Sequence, residues 1–191
     1  MKSKLTRFKS LVAAIAIMAM SGLALNANAQ YKAVGGAIKV HGTSNLHNWE
    51  MSASAVPAEG QFTVRGTEVE DITAFSMTFP VKTLKAKEDL MNSRAYKAMK
   101  ADKFPTITFK LANAEVNQGT VKANGSLTIS GVTKAVTLVG KAAAAADGSV
   151  SVTGNYKFKL SDFNIDPPSF MLGALKVGND LSVDYSIKLK K

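Results

Sequence analysis

Hydrophobic and polar residues alternate over most of the chain after residue 30, which is the pattern of β-strands with one buried face. The alternation is clearest near the C-terminus, in the run from Leu181 to Leu189. Turn-forming pairs such as Ser130-Gly131 and Asp147-Gly148 separate most of the alternating runs. The pattern predicts about eight short antiparallel strands, which must either stack as a sandwich or close into a barrel.

One segment, from Glu88 to Leu111, departs from this period of two. Four apolar residues in its first half share one face of an amphipathic helix: Met91, Ala95, Ala98 and Met99. Pro105 disfavours a helical conformation at Phe104, and strict alternation resumes after it. The segment is therefore predicted to be a short helix that runs into a strand.

The larger apolar side chains of the alternating runs are predicted to point to the inside of the sheet. This inward set comprises Phe62, Phe75, Met77, Phe79, Phe109, Tyr156, Phe158 and Tyr185. Aromatic rings and a flexible thioether suit an acyl or isoprenoid chain, and they suit a filled core equally well. The pattern leaves both interiors open, because apolar alternation is needed for folding whatever the function.

Two motifs carry a resemblance to a known family. Asn92-Ser93 followed by the run Lys103–Phe109 resembles the segment of the YceI-like lipid-binding proteins in which a short helix leads into a K-x-P-T-I-x-F strand. The run Gly125–Lys134 is similar to the G-x-L-T-I-x-G-V-T-K strand pair of the same family. The resemblance implies an all-β fold: a single eight-stranded antiparallel, lipocalin-like barrel with one short helix across it.

The resemblance also implies a function. Binding of polyisoprenoids or isoprenoid quinones is attributed to that family, so we expect an exported protein that sequesters or carries an amphiphilic isoprenoid-type lipid. The inward set would contact the lipid in the barrel interior, and no cofactor other than that lipid is expected. Each buried CH₂ would contribute ~0.8 kcal/mol. The alternative is a filled barrel, which would act as an envelope or stress interaction protein through its basic surface.

The segment from His41 to Glu50 holds both histidines of the chain together with a tryptophan and an acid. Imidazole and carboxylate are ordinary zinc ligands, so a metal-dependent enzyme is a third hypothesis. However, His41 and His47 stand six positions apart, and no second cluster completes a tetrahedral set. We therefore predict no metal site. The segment departs from the commonest family pattern, and if it lies at the barrel mouth, His47 and Trp49 would contact a lipid head group.

Other catalytic patterns are missing from the sequence. Neither Ser44 nor Ser169 lies in a G-x-S-x-G setting, and no glycine-rich phosphate loop occurs. The chain contains no cysteine, which excludes disulfides, thiolate nucleophiles and cysteine-ligated metals. We therefore predict no catalytic residues and a protein that is not an enzyme.

Residues 1–29 have the features of a Sec-type export signal. Basic residues precede an apolar run from Leu11 to Met20, and Ala27-Asn28-Ala29 offers small residues at the cleavage site. The apolar run is shorter than the roughly 20 residues that a spanning helix needs. Cleavage would leave residues 30–191 as one YceI-like lipid-binding domain in the periplasm, or secreted.

Charge narrows the range of partners. The chain carries +10, and four of the positive charges precede residue 30, which leaves +6 for the predicted mature protein. The basic residues are scattered and are not interleaved with aromatics, so no nucleic acid is expected as a partner. Lys188, Lys190 and Lys191 predict at most a transient contact with an anionic membrane surface. Nothing in the sequence indicates the oligomeric state.

Overall fold

The computed structural model describes residues 29–191. The predicted export signal lies outside these residues apart from Ala29, so cleavage next to Gln30 and the periplasmic location stay predictions. The strands are β1 (Ala29–Thr43), β2 (Asn48–Ala53), β3 (Ala58–Arg65), β4 (Glu68–Pro80), β5 (Thr106–Asn117), β6 (Thr120–Ile129), β7 (Val132–Ala144), β8 (Val150–Lys159), β9 (Ser169–Phe170), β10 (Leu175–Lys176) and β11 (Asp180–Lys190). The α-helix α1 spans Asp89–Ala98, and short 3₁₀ helices span Val81–Thr83, Leu160–Phe163 and Met171–Gly173.

Eight of the described strands close into an antiparallel barrel. Neighbours pair in the order β1-β3-β4-β5-β6-β7-β8-β11, and β11 pairs with β1 to complete the ring. Strand β1 is long enough to pair with β3 through Ala29–Lys32 and with β2 through Ile38–Thr43, so β2 and β3 occupy one position in the wall. The predicted fold class is confirmed.

Helix α1 lies where the sequence predicts it, at one end of the barrel between β4 and β5. The Asn92 side chain is buried and its Oδ1 accepts a hydrogen bond from the Ala86 backbone N–H at 2.6 Å. The Tyr96 hydroxyl lies 2.7 Å from the Leu84 carbonyl oxygen. These two polar contacts fix the helix to the chain that precedes it, while the adjacent apolar face of α1 covers the barrel.

The connections divide the barrel into two different ends. Tight turns around Gly66, Gly119 and Gly148 join strand pairs at one end, where β1 begins and β11 finishes. The other end carries the β1–β2 loop, α1 and the long segment between β8 and β11. We call these the closed end and the open end.

The closed end is sealed because β4 separates from its neighbour β5 there. Strands β4 and β5 pair only from Ser76–Lys110 to Pro80–Thr106. Beyond that, β4 packs against β7, and the Ala144 backbone N–H donates to the carbonyl of Thr67 in the β3–β4 turn at 3.1 Å. Tyr31 and Phe62 meet edge to face inside this end, with ring centroids 5.2 Å apart.

No helix within residues 29–191 has both the length and the apolar character needed to cross a bilayer.

Candidate ligand-binding cavity

The open half of the barrel is hollow. A cavity of about 510 Å³ runs inward from the open end, within the size range of small-molecule sites. Most of its wall is aliphatic or aromatic. Its deepest lining residues include Ile72, Val121 and Ile187. The cavity stops short of the closed end, where Val150 and Leu189 are fully buried and do not line it.

Seven of the eight residues of the inward set line this cavity. They are Phe75, Met77, Phe79, Phe109, Tyr156, Phe158 and Tyr185. Helix α1 contributes its predicted apolar face, since Met91, Ala95, Ala98 and Met99 line the cavity as well. The alternation and the helical spacing therefore put these side chains where a ligand in the barrel would meet them. Their role in binding stays a prediction.

Phe62 is the exception in the inward set. It is only 4% exposed, but it packs against Tyr31 at the closed end and does not line the cavity. The alternation of β3 correctly turns Phe62 inward. Depth along the barrel depends on which turns close each end, and a single strand's pattern carries no information about that. We therefore assign Phe62 to the core and not to the predicted ligand-contact set.

The predicted mouth residues His47 and Trp49 both line the cavity. The Trp49 indole N–H donates to the Thr43 carbonyl at 2.9 Å, and the ring covers Gly42 on the paired strand β1, where any side chain would clash with it. The Ser44 hydroxyl donates to the His47 carbonyl at 2.9 Å and holds the β1–β2 loop in a turn. The open end is thus the place where the His41–Glu50 segment meets the interior.

His41 and His47 lie in different environments, because His47 lines the cavity and His41 does not. His41 lies on the outer wall, where its Nε2 is 3.0 Å from an Asp184 carboxylate oxygen and its Nδ1 is 3.4 Å from a Glu50 oxygen. The pKa of Asp184 is lowered, first by a hydrogen bond from the Asn155 amide and then by His41.

Across residues 29–191, no cluster of three or more His, Asp or Glu side chains could hold a metal ion.

Sequence reasoning missed the charged and apolar residues that α1 and the β9–β10 hairpin bring to the mouth. Glu88, Arg94, Phe170 and Leu175 all line the cavity. The Arg94 guanidinium lies over the Phe170 ring, 4.1 Å from its centroid. Arg94 follows Leu90 at helical spacing, so its position on the cavity side of α1 could have been read from the sequence. The hairpin gives no such signal, since its strands are two residues each.

Two tyrosines place hydroxyl groups at the cavity wall. Burial raises the pKa of Tyr185, and it raises the pKa of Tyr156 in the same way, with a smaller contribution from Asp162. Both groups therefore stay protonated at neutral pH and can donate a hydrogen bond to an acceptor in the cavity.

Glycines on neighbouring strands make room for the aromatic rings. The Tyr185 hydroxyl lies against Gly154, its partner on β8, and a Cβ at Gly140 on β7 would come within 2.8 Å of it. A Cβ at Gly125 on β6 would come within 2.7 Å of the Phe109 ring. Because each ring lies over a strand that has no side chain at that point, it rests along the wall. The interior is lined by aromatics and still hollow.

A closed eight-stranded barrel with an open, apolar cavity places the chain among the lipocalin-like barrel proteins. The family model described as "YceI-like domain" matches residues 21–189, so the chain belongs to the YceI-like family. No curated protein sequence matches this chain.

Solved structures share the fold at low sequence identity. BcnA of Burkholderia cenocepacia superposes with a TM-score of 0.67 at 15% identity, covering 80% of this chain and 95% of that one. A polyisoprenoid binding domain from Saccharophagus degradans, implicated in plant cell wall breakdown, gives a TM-score of 0.65 at 11% identity, covering 84% and 97%. The YCEI protein of Campylobacter jejuni gives 0.53 at 20% identity, covering 69% and 84%.

Proposed function

We propose that the protein binds one amphiphilic isoprenoid-type lipid, a polyisoprenoid or an isoprenoid quinone, in the barrel cavity, and that it sequesters or carries that lipid after export. The observation that carries the proposal is the hollow, apolar open half of the barrel, whose deep wall is aliphatic. Family membership and the fold shared with a polyisoprenoid binding domain support it.

The arrangement of polar groups supports an orientation of the lipid. The deep part of the cavity, near Ile72, Val121 and Ile187, suits a hydrocarbon chain because it offers no charge. Charged side chains occur at the mouth, where Arg94 and Glu88 line the entrance. The chain would therefore enter first and the head group would stay beside α1 and the β1–β2 loop.

Two residues at the mouth are the best candidates for head-group contacts. The Arg94 guanidinium is held against Phe170 and can donate paired hydrogen bonds to a phosphate or a quinone oxygen. His47 lies on the β1–β2 loop and lines the same opening. The hydroxyls of Tyr156 and Tyr185 are acceptable partners for a group that reaches further in, such as a quinone ring.

We propose that burial of the lipid's hydrocarbon chain drives binding and that no covalent step is involved. Each CH₂ that moves from water into the cavity contributes ~0.8 kcal/mol, so a few isoprene units are enough for tight binding. No cofactor beyond the lipid is needed.

Organic extraction of the purified protein, followed by mass spectrometry, tests the proposal. We expect one lipid class with an isoprenoid chain, recovered in a near-stoichiometric amount. A matched competition between lipids of one chain length with alcohol, phosphate or quinone heads would then rank the head groups, and Arg94→Gln should weaken the phosphate most. Recovery of no lipid, together with no uptake from solution by delipidated protein, would favour the alternative of an interaction protein.

A further inference from the structure

Four large apolar side chains are exposed at the open end, around the cavity mouth. Leu172 is fully exposed, Met171 is 74% exposed, and Leu46 and Leu90 are exposed by 65% and 61%. We call these four residues the rim. Most large apolar residues elsewhere in residues 30–191 are at least half-buried; Val34 and Val139, on barrel strands, are the exposed exceptions.

The tip of the β9–β10 hairpin holds two of the rim residues in an unfavourable backbone conformation. Met171 and Leu172 have φ angles of +53° and +54°, in the left-handed region that residues with a Cβ rarely adopt. A polar residue such as Asn, or a glycine, would relieve this cost and would also suit water. A surface that keeps large apolar side chains at such positions is suited to an apolar neighbour.

Asn45 joins the hairpin and the β1–β2 loop into one surface. Its side-chain Oδ1 accepts from the Lys176 backbone N–H at 2.9 Å, and its Nδ2 donates to the Ala174 carbonyl at 2.8 Å. Its own backbone N–H donates to the Lys176 carbonyl at 3.1 Å. Leu46 is the next residue in the chain. The two loops that carry Leu46, Met171 and Leu172 are therefore held together at the mouth.

The rim is continuous with the cavity wall. Phe170 and Leu175 flank the hairpin tip and line the cavity, and Leu90 is both exposed and part of the lining. Two cations lie beside the rim: the Arg94 guanidinium packs over Phe170, and Lys176 Cε lies 4.0 Å from the position that a Cβ on Gly173 would take. A hydrocarbon chain that leaves the cavity meets an apolar surface flanked by these two cations and by one carboxylate, Glu88, which also lines the mouth. Apolar side chains beside lysine and arginine suit the interface of a bilayer that contains anionic lipids.

We propose that the rim docks on the lipid bilayer, with the hairpin tip inserted among the head groups so that the cavity opens directly onto the membrane. The inference rests on the proposed function, and it adds the surface through which lipid enters and leaves. It places the membrane contact at the open end, whereas the sequence pattern predicts it at Lys188, Lys190 and Lys191. Lys190 pairs with Lys32 at the closed end, away from the mouth.

The absence of native cysteine allows a direct test by single-site labelling. Leu172→Cys, Val139→Cys and Lys190→Cys would each carry an environment-sensitive fluorophore and be mixed with vesicles of phosphatidylethanolamine and phosphatidylglycerol. We expect a blue shift at position 172 alone. A shift at position 190 but not at 172, or equal shifts at all three, would overturn the proposed orientation.

A matched pair of double substitutions tests the energetic role of the rim. Met171→Ser with Leu172→Ser should lower the vesicle-bound fraction at least about tenfold, since two large apolar side chains no longer leave water. Val34→Ser with Val139→Ser, which removes exposed apolar groups from the barrel wall, should leave it unchanged. Equal losses in both variants would mean nonspecific adsorption and would overturn the docking site.

Loading from detergent solution separates this inference from the proposed function. The rim variant should take up as much isoprenoid lipid from detergent as the wild-type protein, while transferring it between vesicles more slowly. If neither protein takes up lipid, the proposed function fails. If both take up lipid and neither binds vesicles, the function stands and the docking inference is wrong. A fluorophore at position 172 that shifts only when another envelope protein is added, and not with vesicles, would also overturn the docking inference.

Discussion

The two ends of the barrel are built from the same strands, yet one is a core and the other a cavity. At the closed end, Tyr31 and Phe62 stack edge to face and β4 packs across onto β7, so the interior is filled. At the open end, α1 and the segment between β8 and β11 cover the strands, and a space of about 510 Å³ remains. Aromatic side chains point inward at both ends. The difference lies in the connections that close each end.

The largest expected effect comes from truncating an aromatic ring at each end in turn. Phe62→Ala should lower the free energy of unfolding of the lipid-free protein by about 3–5 kcal/mol, because it creates a void in a packed region. Phe75→Ala should cost less than about 2 kcal/mol, since its ring already borders a cavity. Urea denaturation of both variants measures the difference. Similar losses would mean that the two ends are equally packed.

Filling the cavity should separate binding from stability. Ala123 lines the cavity on β6, so Ala123→Phe should reduce lipid affinity at least about tenfold while costing no more than about 1–3 kcal/mol of stability. The control is Ala135→Phe on the exposed face of β7. Titration of delipidated protein with a fluorescent isoprenoid gives the affinities. Full binding by the Ala123 variant would show that the lipid lies elsewhere.

The pairing of glycines with aromatic rings can be tested at Tyr185. Gly154→Ala would place a methyl group against the Tyr185 ring and push that ring into the cavity, so lipid capacity should fall several-fold with a modest loss of stability. Adding Tyr185→Leu removes the ring and should restore capacity in part. Extraction and quantification of bound lipid would compare the three proteins. No rescue by the second change would show that Gly154 acts through the backbone.

A smaller effect is expected at low pH, where protonation of Asp147 at the closed end removes part of the stability of the folded protein. The Ser149 hydroxyl and backbone N–H donate to Asp147, at 2.5 and 3.0 Å, and these hydrogen bonds lower the pKa of Asp147 from 3.8 to about 2. Because the folded pKa lies below the unfolded one, this stabilisation is present above pH 3.8 and is lost as the pH falls through about 2. Thermal unfolding of Asp147→Asn should show less acid sensitivity than wild type in that window. An identical pH profile would contradict the assignment.

Much of the barrel could be predicted from the sequence because period-two alternation and turn signals act locally. The strands from Phe75 to Phe79 and from Leu181 to Leu189, and the cavity-facing side of α1, follow from spacing alone. The K-x-P-T-I-x-F and G-x-L-T-I-x-G-V-T-K motifs then distinguished a barrel from a sandwich. The alternation of β3 also predicts the inward direction of Phe62.

The remaining features depend on contacts between distant parts of the chain. Phe62 lies in the core and not in the cavity because of its pairing near Tyr31, which is far from it in sequence. The match of Tyr185 with Gly154 becomes visible only once the register of β8 and β11 is known. The β9–β10 hairpin is too short for a periodic signal, and Asn45, 131 positions before Lys176, holds it in place.

The central claim is that the open end holds an isoprenoid lipid, and thermal unfolding of the delipidated protein with increasing lipid tests it most directly. A ligand that binds the folded state stabilises it by about 2.7 kcal/mol at a hundred times its Kd, which is roughly 5–10 °C for a domain of this size. We predict a Tm that rises steadily with added polyisoprenoid in the wild-type protein and far less in Ala123→Phe. A wild-type Tm that does not change with lipid would contradict the account.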